Sequence, residues 1–404
     1  MRSGSAPPAA IVIFGASGDL TRRKLVPALF SLFRQRLLAP ETAIVGVARS
    51  QLSDDEFRER MREGVAELAR QQFEDEEWEE FAPRLHYMAG STDDSETFER
   101  LRDLLAQLDE GNGSSGHRLF YLSTAPSLFA PIIEGLGRVG LNREDTDDAG
   151  GGFSRVVIEK PFGEDLGSAR VLNERVSAVF RERQVYRIDH YLGKETVQNV
   201  LTFRFSNPMF EHLWNRDRVE SIEITVAEDL GIEGRAGYYE TAGALRDMVQ
   251  NHLTQVLTLV AMEPPVSFDA DQIRNEKVKV IEAIAPISTD DVVFGQYEAG
   301  SMAGEPVPAY RDEEGVDAES QTPTFVGLRL QIDTWRWQGV PFYLRTGKRL
   351  PRQLTQVAVT FLPPPLCIFH GARDGCDMAP NVLLITLQPD EGFTLRFSVK
   401  APGA

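Results

Sequence analysis

Continuous apolar runs alternate with amphipathic stretches along the first part of the chain. The run 10–14 is apolar and β-prone throughout, which is typical of a strand covered on both faces. A turn that contains glycines follows, and apolar residues at helical spacing then predict a helix over 22–38. A second apolar run, 43–47, predicts the next strand. This order of strand, glycine turn, helix and strand is typical of the first half of a dinucleotide-binding unit.

The following segments continue the alternation. A helix capped by Ser53 or Asp54 is predicted next, and short strands are predicted at 119–122 and 155–158. Because each strand is followed by turn or helix signals, the sheet is expected to be parallel. The α/β class, with a Rossmann-like doubly wound parallel sheet, is therefore predicted for residues 1–186.

The pattern changes after residue 186, where predicted strands follow one another without regular helices between them. Several of them alternate apolar and polar residues, as in an antiparallel sheet with one covered face. These strands are predicted at 219–227, 324–335, 357–362, 382–387 and 393–399. The clearest helix in this part is predicted over 244–260. We therefore expect an α+β domain with a large, mainly antiparallel sheet over residues 187–404.

Length, charge and cysteine content restrict the functional classes. A chain of 404 residues is expected to form two domains, and a net charge of -18 without a basic stripe argues against nucleic acid. No apolar run approaches the roughly 18 residues of a membrane span, and the N-terminus carries no signal peptide. With only 2 cysteines, a disulfide framework is excluded and a reducing, cytoplasmic location is expected.

Three residues near the C-terminus have side chains that bind metals, namely Cys367, His370 and Cys376. No fourth ligand stands at a spacing that would complete a structural zinc site, so no metal is predicted. Because the protein is acidic overall, an anionic substrate is expected to need a locally basic pocket.

The glycine turn and the end of the second strand indicate the nucleotide. Gly15 and Gly18 permit a tight turn and the close approach of backbone N–H groups to a pyrophosphate. Enzymes that use NAD usually carry Asp or Glu at the end of the second strand, where Arg49 stands here. A guanidinium binds a 2′-phosphate bidentately, and Arg22 begins the facing helix. NADP is therefore favoured over NAD, although Arg49 is also compatible with a plain surface arginine.

Residues 187–195 carry the densest chemistry in the chain. This segment holds cations, carboxylates, an imidazole and a phenol around one glycine, without a helical or strand period. A solvated loop with local charge pairs explains the segment as well as a binding site does, unless other site elements exist. Lys160, which precedes Pro161 at the end of a strand, is a further candidate, because ligands bind at that edge of a parallel sheet. Pro161 also permits a cis peptide bond.

A histidine on the predicted helix of the second domain completes the candidate set. Asp247 and Asn251 are one helical turn apart, with His252 next along. A lone histidine on such a helix is more often structural, but an imidazole titrates near neutral pH and so suits a general base. Asp189 is the carboxylate that we expect to orient it. The turn predicted at 339–348 adds cations for a phosphate or for local ion pairs.

Taken together, these motifs resemble the glucose-6-phosphate dehydrogenase family. The resemblance covers the chain from residue 11 to about residue 350, and Arg-Ile-Asp-His-Tyr-Leu-Gly-Lys-Glu at 187–195 is nearly a signature by itself. The other matching segments, in the family's order, are 15–20, 45–50, 159–163, 215–217, 233–235, 247 with 250–253, 275–280 and 339–348.

The resemblance implies oxidation of β-D-glucose 6-phosphate at C1 to 6-phospho-D-glucono-1,5-lactone with NADP as hydride acceptor, the first step of the oxidative pentose phosphate pathway. His252 is then the general base, oriented by Asp189. The implied substrate-binding residues are Lys160, His190, Tyr191, Lys194, Glu228, Asp247 and Lys348. Of these, His190, Tyr191 and Lys194 are assigned to the phosphate. The implied cofactor-binding residues are Gly15, Ala16, Ser17, Gly18, Asp19, Leu20, Arg49 and Lys160.

A departure from the family's usual length and two alternatives accompany this interpretation. Family members usually continue beyond the point equivalent to Lys400, so the chain is expected to be C-terminally incomplete. A non-catalytic NADP-binding remnant is therefore one alternative. A free-hexose dehydrogenase is the other, although the residues assigned to the phosphate disfavour it. The resemblance also implies a homodimer or a homotetramer.

Overall fold

The structure is a computed structural model that describes residues 6–69, 73–112, 116–144, 152–189, 191–366 and 379–399. His190, Cys367, His370 and Cys376 lie outside these ranges. By its internal contacts the chain divides into two units, Met1–Ile188 and Asp189–Ala404. Among the described residues, no helix is both long and apolar enough to cross a membrane.

The first unit contains a parallel sheet. Its strands are β1 Ala10–Phe14, β2 Ala43–Ala48, β3 Leu85–Ala89, β4 Arg118–Leu122, β5 Ser154–Ile158 and β6 Val185–Arg187. All neighbouring strands pair in parallel, in the order β3-β2-β1-β4-β5-β6. This is the strand order of a Rossmann fold, and it confirms the predicted doubly wound α/β class.

Helices cover both faces of this sheet. They are α1 Val26–Arg34, α2 Asp54–Ala69, α3 Asp75–Phe81, α4 Ser95–Asn112, α5 Phe129–Arg138 and α6 Leu166–Val179, with a π-helical turn, Thr21–Leu25, before α1. Successive residues of β1 point to opposite faces, so Val12 packs in one apolar cluster and Ile13 in another. Ser53 caps α2 as predicted, because Ser53 and Glu56 exchange hydrogen bonds between side chain and backbone.

The second unit is built on a large sheet that is antiparallel except for one pair of strands. Its strands are β7 Val219–Ala227, β8 Val292–Gly295, β11 Phe325–Leu330, β12 Phe342–Gly347, β13 Leu354–Phe361, β14 Val382–Gln388 and β15 Gly392–Arg396, while β9 Gly300–Met302 and β10 Glu305–Val307 form a separate hairpin. The order in the sheet is β15-β14-β13-β7-β12-β11-β8, and among these described strands only β7 and β12 pair in parallel. The predicted α+β class with a mainly antiparallel sheet is confirmed.

The segment 339–348 differs from the prediction. It was expected to be a turn, but it contains β12. Phe342 and Leu344 are buried, whereas Tyr343 and Arg345, which alternate with them, are exposed. This alternation is the pattern of a strand with one covered face, and it was hidden by the glycine and proline that precede it.

The helices of the second unit are α7 Glu195–Ser206, α8 Pro208–Glu211, α9 Ala236–Ala244, α10 Thr254–Ala261 and α11 Ala270–Glu282. The segment predicted as one helix over 244–260 is instead a π-helical segment, Leu245–Leu253, followed by α10. In a π-helix each N–H bonds to the carbonyl five residues before it, so residues five apart share a face. Asp247 and His252 therefore lie on one face, whereas in an α-helix residues five apart would point about 140° away from each other.

Candidate active site

The loop after β6 and the π-helical segment bring a carboxylate and an imidazole together. His252 Nδ1 lies 2.7 Å from Asp189 Oδ1 and 2.9 Å from Asp189 Oδ2. The His252 side chain is buried and that of Asp189 is largely covered, with exposed fractions of 2% and 12%. Because a carboxylate only accepts hydrogen bonds, Nδ1 carries the proton and Nε2 is the basic nitrogen of the ring. The pair can therefore take up a proton at Nε2 while Asp189 stabilises the positive charge that forms.

Tyr191 packs on the histidine ring. Its phenol stacks on the His252 imidazole, with ring centroids 4.1 Å apart and 20° between the planes. Its backbone N–H donates to Asp189 Oδ1 at 2.9 Å, so one residue contacts both members of the pair. Burial raises the pKa of the Tyr191 hydroxyl to about 12, so the phenol is neutral near pH 7.

Lys194 supplies a cation beside this stack. Its Nζ lies 3.8 Å from the centroid of the Tyr191 ring and donates to Gln388 Oε1 at 2.9 Å. Burial lowers the pKa of the Lys194 ammonium, and the negative charge of Asp189 acts in the opposite direction. Gln388 was not predicted as a site residue, because no local sequence pattern links two positions that are 194 residues apart.

A second cation–carboxylate pair stands at the ends of two neighbouring strands. Glu228 follows β7 and Lys348 follows β12, and because these strands pair in parallel their ends coincide. Lys348 Nζ donates to Glu228 Oε2 at 2.6 Å, and the Lys348 side chain is 3% exposed. The same Nζ lies 5.2 Å from the centroid of the Tyr239 ring. A charged pair held this way offers both donors and acceptors to a polyhydroxylated ligand.

Asp247 is a further carboxylate of this site. It is buried on the face of the π-helical segment that also carries His252, and its Oδ1 accepts a hydrogen bond from the Tyr238 hydroxyl at 3.0 Å. Burial raises the pKa of the Tyr191 hydroxyl, and the negative charges of Glu228, Asp189 and Asp247 raise it further, so all three carboxylates lie within electrostatic range of that phenol. The second unit therefore gathers Asp189, Tyr191, Lys194, Glu228, Asp247, His252 and Lys348 into a single polar cluster.

The glycine turn of the first unit leads from β1 into the π-helical turn before α1. Gly15 has a φ of +83°, and a Cβ there would lie 2.1 Å from the carbonyl oxygen of Ser123, so only glycine fits. The Gly18 N–H donates to the Gly15 carbonyl at 2.9 Å, which closes the turn. Among the other predicted cofactor residues, Ala16 is buried, Ser17 is half-buried, and Asp19 and Leu20 are exposed. A tight turn before a helix at the carboxyl edge of a parallel sheet suits a pyrophosphate.

Arg49 is the cation at the end of β2. It is exposed, and the loop that follows it is fixed by the Tyr87 hydroxyl, which donates to the Ser50 carbonyl at 2.7 Å. Arg22, the second candidate cation, forms ion pairs with Glu63 and Glu67 at 3.3 and 3.0 Å instead. Arg49 therefore suits a 2′-phosphate better than Arg22 does.

Lys160 follows β5 in the first unit, whereas the other described candidate substrate residues belong to the second. The Lys160–Pro161 peptide bond is cis, and the Lys160 side chain is half-buried. The preceding Glu159 accepts a hydrogen bond from the Tyr121 hydroxyl at the end of β4. This contact fixes the turn that carries Lys160.

Two family profiles together match almost the whole chain. The profile described as "Glucose-6-phosphate dehydrogenase, NAD binding domain" matches residues 12–199, and "Glucose-6-phosphate dehydrogenase, C-terminal domain" matches residues 201–404. The chain belongs to the glucose-6-phosphate dehydrogenase family. It is therefore an oxidoreductase with a nucleotide-binding first domain.

Individual relatives agree with membership in the glucose-6-phosphate dehydrogenase family. The glucose-6-phosphate 1-dehydrogenase of Aggregatibacter actinomycetemcomitans is 47% identical over 398 residues, which is 98% of this chain and 78% of that protein. The Bacillus subtilis enzyme of the same name is 44% identical over 407 residues, 100% of this chain and 81% of that protein.

Solved structures of this family have the same fold. A glucose-6-phosphate dehydrogenase in complex with its substrate glucose-6-phosphate superposes with a TM-score of 0.87 at 38% identity, covering 100% of this chain and 80% of that one. Glucose-6-phosphate 1-dehydrogenase from Mycobacterium avium gives a TM-score of 0.85 at 39% identity, covering 98% and 82%. These two structures therefore resemble the chain in sequence as well as in fold.

Proposed function

We propose that this member of the glucose-6-phosphate dehydrogenase family oxidises β-D-glucose 6-phosphate at C1 to 6-phospho-D-glucono-1,5-lactone, with NADP as hydride acceptor. The observation that carries the proposal is the contact of His252 Nδ1 with both carboxylate oxygens of Asp189, at 2.7 and 2.9 Å. Family membership indicates the substrate and the reaction, and this contact supports His252 as the base because it leaves Nε2 as the ring nitrogen that can accept a proton.

His252 is the general base of the proposed reaction. Its Nε2 takes the proton of the C1 hydroxyl while the hydrogen on C1 leaves as hydride. Asp189 stabilises the imidazolium, and burial of the pair strengthens this attraction because little water is present to screen it. The stacked ring of Tyr191 holds the imidazole in place before the substrate arrives.

The remaining charged residues of the second unit are proposed to bind the sugar phosphate. Lys194 and Tyr191, together with His190, are assigned to the phosphate, which needs local positive charge in a protein with a net charge of -18. Glu228, Asp247 and Lys348 are assigned to the sugar hydroxyls, for which their clustered donors and acceptors are suited. The assignment of Lys160 to both sugar and cofactor stays a prediction.

NADP is the cofactor that suits the first unit. The turn from Gly15 to Leu20 would hold the pyrophosphate, and Arg49 would bind the 2′-phosphate where enzymes that use NAD place a carboxylate. When bound, NADP accepts the hydride from C1. The chain's own contribution is to hold the two reactants and to remove the proton.

The same reaction is the first step of the oxidative pentose phosphate pathway, and we assign the protein to it. The low cysteine content is compatible with the cytoplasm, where that pathway operates in a reducing environment. A homodimer or homotetramer is proposed from the resemblance to the family. Light scattering of the purified protein measures the assembly directly.

Reduction of NADP, followed by absorbance, tests the proposed function. With glucose 6-phosphate we expect turnover by the wild-type protein and a loss of about 10²–10⁴-fold in the His252→Asn variant, which removes the base. His212→Asn is the matched control, because His212 is exposed beside α8. Wild-type turnover that survives His252→Asn unchanged would contradict the assignment of the base.

The two alternatives make different predictions for the same protein. A free-hexose dehydrogenase would reduce NADP with glucose as efficiently as with glucose 6-phosphate. A non-catalytic remnant would show a raised melting temperature with NADP but not with glucose 6-phosphate, since only a ligand that binds the native state stabilises it.

A further inference from the structure

The Tyr238 hydroxyl contacts a carboxylate of the polar cluster directly. It donates to Asp247 Oδ1 at 3.0 Å, and Asp247 itself is buried. Burial and the negative charge of Asp247 raise the pKa of the Tyr238 hydroxyl, so the phenol stays protonated and acts as a donor. A phenol that stays protonated is unsuited to be a base, which leaves orientation of Asp247 as its contribution.

The local fold is arranged so that this contact forms. Tyr238 lies near the start of α9 and Asp247 lies near the start of the π-helical segment, and the helical backbone between them is interrupted at Gly243, the second-last residue of α9. Gly243 has a φ of 55°, a conformation that favours glycine, and it changes the direction of the chain just before the π-helical segment. The Ala244 N–H then donates to the Pro323 carbonyl at 2.9 Å, which fixes the turn.

A fixed carboxylate plane matters for binding a hydroxyl. The terminal torsion of an aspartate is broad, so the plane of an unrestrained carboxylate rotates and its lone pairs have no set direction. A donor that holds Oδ1 removes this freedom and leaves the other lone pairs of the group in defined directions. An acceptor fixed in advance costs less entropy when the ligand binds.

We propose that Tyr238 is a positioning residue that sets the carboxylate of Asp247 to accept a hydrogen bond from one hydroxyl of the sugar substrate. The proposal rests on the proposed function, because it takes Asp247 as a substrate-binding residue. Tyr238 acts on the substrate through Asp247 alone. It contributes to recognition of the sugar and takes no part in the transfer of proton or hydride.

The test is the Tyr238→Phe variant, which removes the hydroxyl and keeps the ring. We expect KM for glucose 6-phosphate to rise about tenfold, as for a lost hydrogen bond to a charged group. We expect kcat to stay within about twofold, because the interaction is the same in ground and transition states. KM for NADP should not change, whereas a merely structural tyrosine would lower the melting temperature and leave KM for glucose 6-phosphate unchanged.

Tyr297→Phe is the matched control. Tyr297 donates to the Glu313 carboxylate at 2.8 Å, so the same kind of bond is removed away from the residues assigned to the substrate. KM for glucose 6-phosphate should equal the wild-type value in this variant. An equal rise in KM in both variants would overturn the proposal, because it would show a general effect of losing a tyrosine–carboxylate bond.

Two further measurements test whether the rise in KM depends on Asp247 and on one hydroxyl of the sugar. In an Asp247→Ala background, Tyr238→Phe should raise KM by less than about twofold, because the carboxylate that it orients is gone. Glucose 6-phosphate analogues that each lack one hydroxyl identify the group that Asp247 binds. The analogue without that hydroxyl should give the same KM with wild type and with Tyr238→Phe. Wild-type turnover together with an unchanged KM in Tyr238→Phe would overturn this proposal alone, whereas absent wild-type turnover would overturn the proposed function.

Discussion

The Asp189→Asn variant removes the negative charge beside His252 and nearly keeps the shape of the side chain. The carboxamide has nearly the size of the carboxylate, but it is neutral and has one acceptor oxygen where Asp189 places two against His252 Nδ1. If the NH₂ group faces Nδ1, the ring proton moves to Nε2 and the base is lost. If the amide oxygen faces Nδ1, the base remains but its counter-charge is gone. Both arrangements therefore weaken proton uptake.

The magnitude follows from the burial of the pair. The side chains are 2% and 12% exposed, so solvent screens the lost attraction only weakly. Removing one partner of a buried, hydrogen-bonded ion pair costs about 3–5 kcal/mol. At about 1.4 kcal/mol for each factor of ten, kcat is expected to fall about 10²–10⁴-fold. Because the imidazolium forms only as the reaction proceeds, KM for glucose 6-phosphate should change less than about threefold.

Steady-state NADP reduction over a range of glucose 6-phosphate concentrations gives both constants. Asp217→Asn is a matched control, because the Asp217 side chain is 82% exposed and its nearest cation is the neighbouring Arg216. That variant should keep both constants within about twofold of wild type, as most surface substitutions do. A kcat for Asp189→Asn within about threefold of wild type, in a protein with an unchanged melting temperature, would refute the electrostatic role of Asp189.

Three further predictions concern the cofactor and the alkaline limit of stability. Arg49→Gln should raise KM for NADP about 10–100-fold and leave KM for NAD unchanged, because only a 2′-phosphate uses the guanidinium. Gly15→Ala places a Cβ 2.1 Å from the Ser123 carbonyl oxygen, so calorimetry should show NADP binding weakened at least about tenfold. Since burial raises the pKa of Tyr191 to about 12 from 10.0, its neutral form stabilises the fold fully below about pH 10, and this stabilisation is lost as the pH rises through about 12. Urea unfolding should then show a loss of roughly 2–3 kcal/mol over that interval that is smaller in Tyr191→Phe.

In the first unit β1 and β2 could be predicted from the sequence because nearly all of their residues are buried, whereas β3 and β6 were not predicted. A strand such as β1, in which every residue is buried, reads as one continuous apolar run and is recognised without knowledge of its neighbours. β12 could not be recognised in the same way. It is covered on one face only, and its alternation of Phe342, Leu344 and exposed residues spans too few positions to outweigh the flanking glycine and proline.

Two features of the site could not be predicted from the sequence, namely the π-helical segment and the contact made by Gln388. A π-helix leaves no distinct period in a segment of nine residues, so the shared face of Asp247 and His252 could not be expected from spacing. Gln388 reaches Lys194 because β14 lies in the sheet of the second unit, and nothing local to either residue encodes that contact. The densely charged stretch 187–195 was recognisable by composition alone, but its pairing with a histidine 63 residues away depends on the fold.

The transfer of hydrogen from C1 of glucose 6-phosphate to NADP is the most direct test of the proposed reaction. Wild-type protein is given glucose 6-phosphate with deuterium on C1, and the reduced cofactor and the sugar product are analysed by mass spectrometry. We predict that the deuterium appears in the reduced cofactor and that the product sugar acid contains none. Reduced cofactor without deuterium, or deuterium that remains on the sugar, would contradict oxidation at C1.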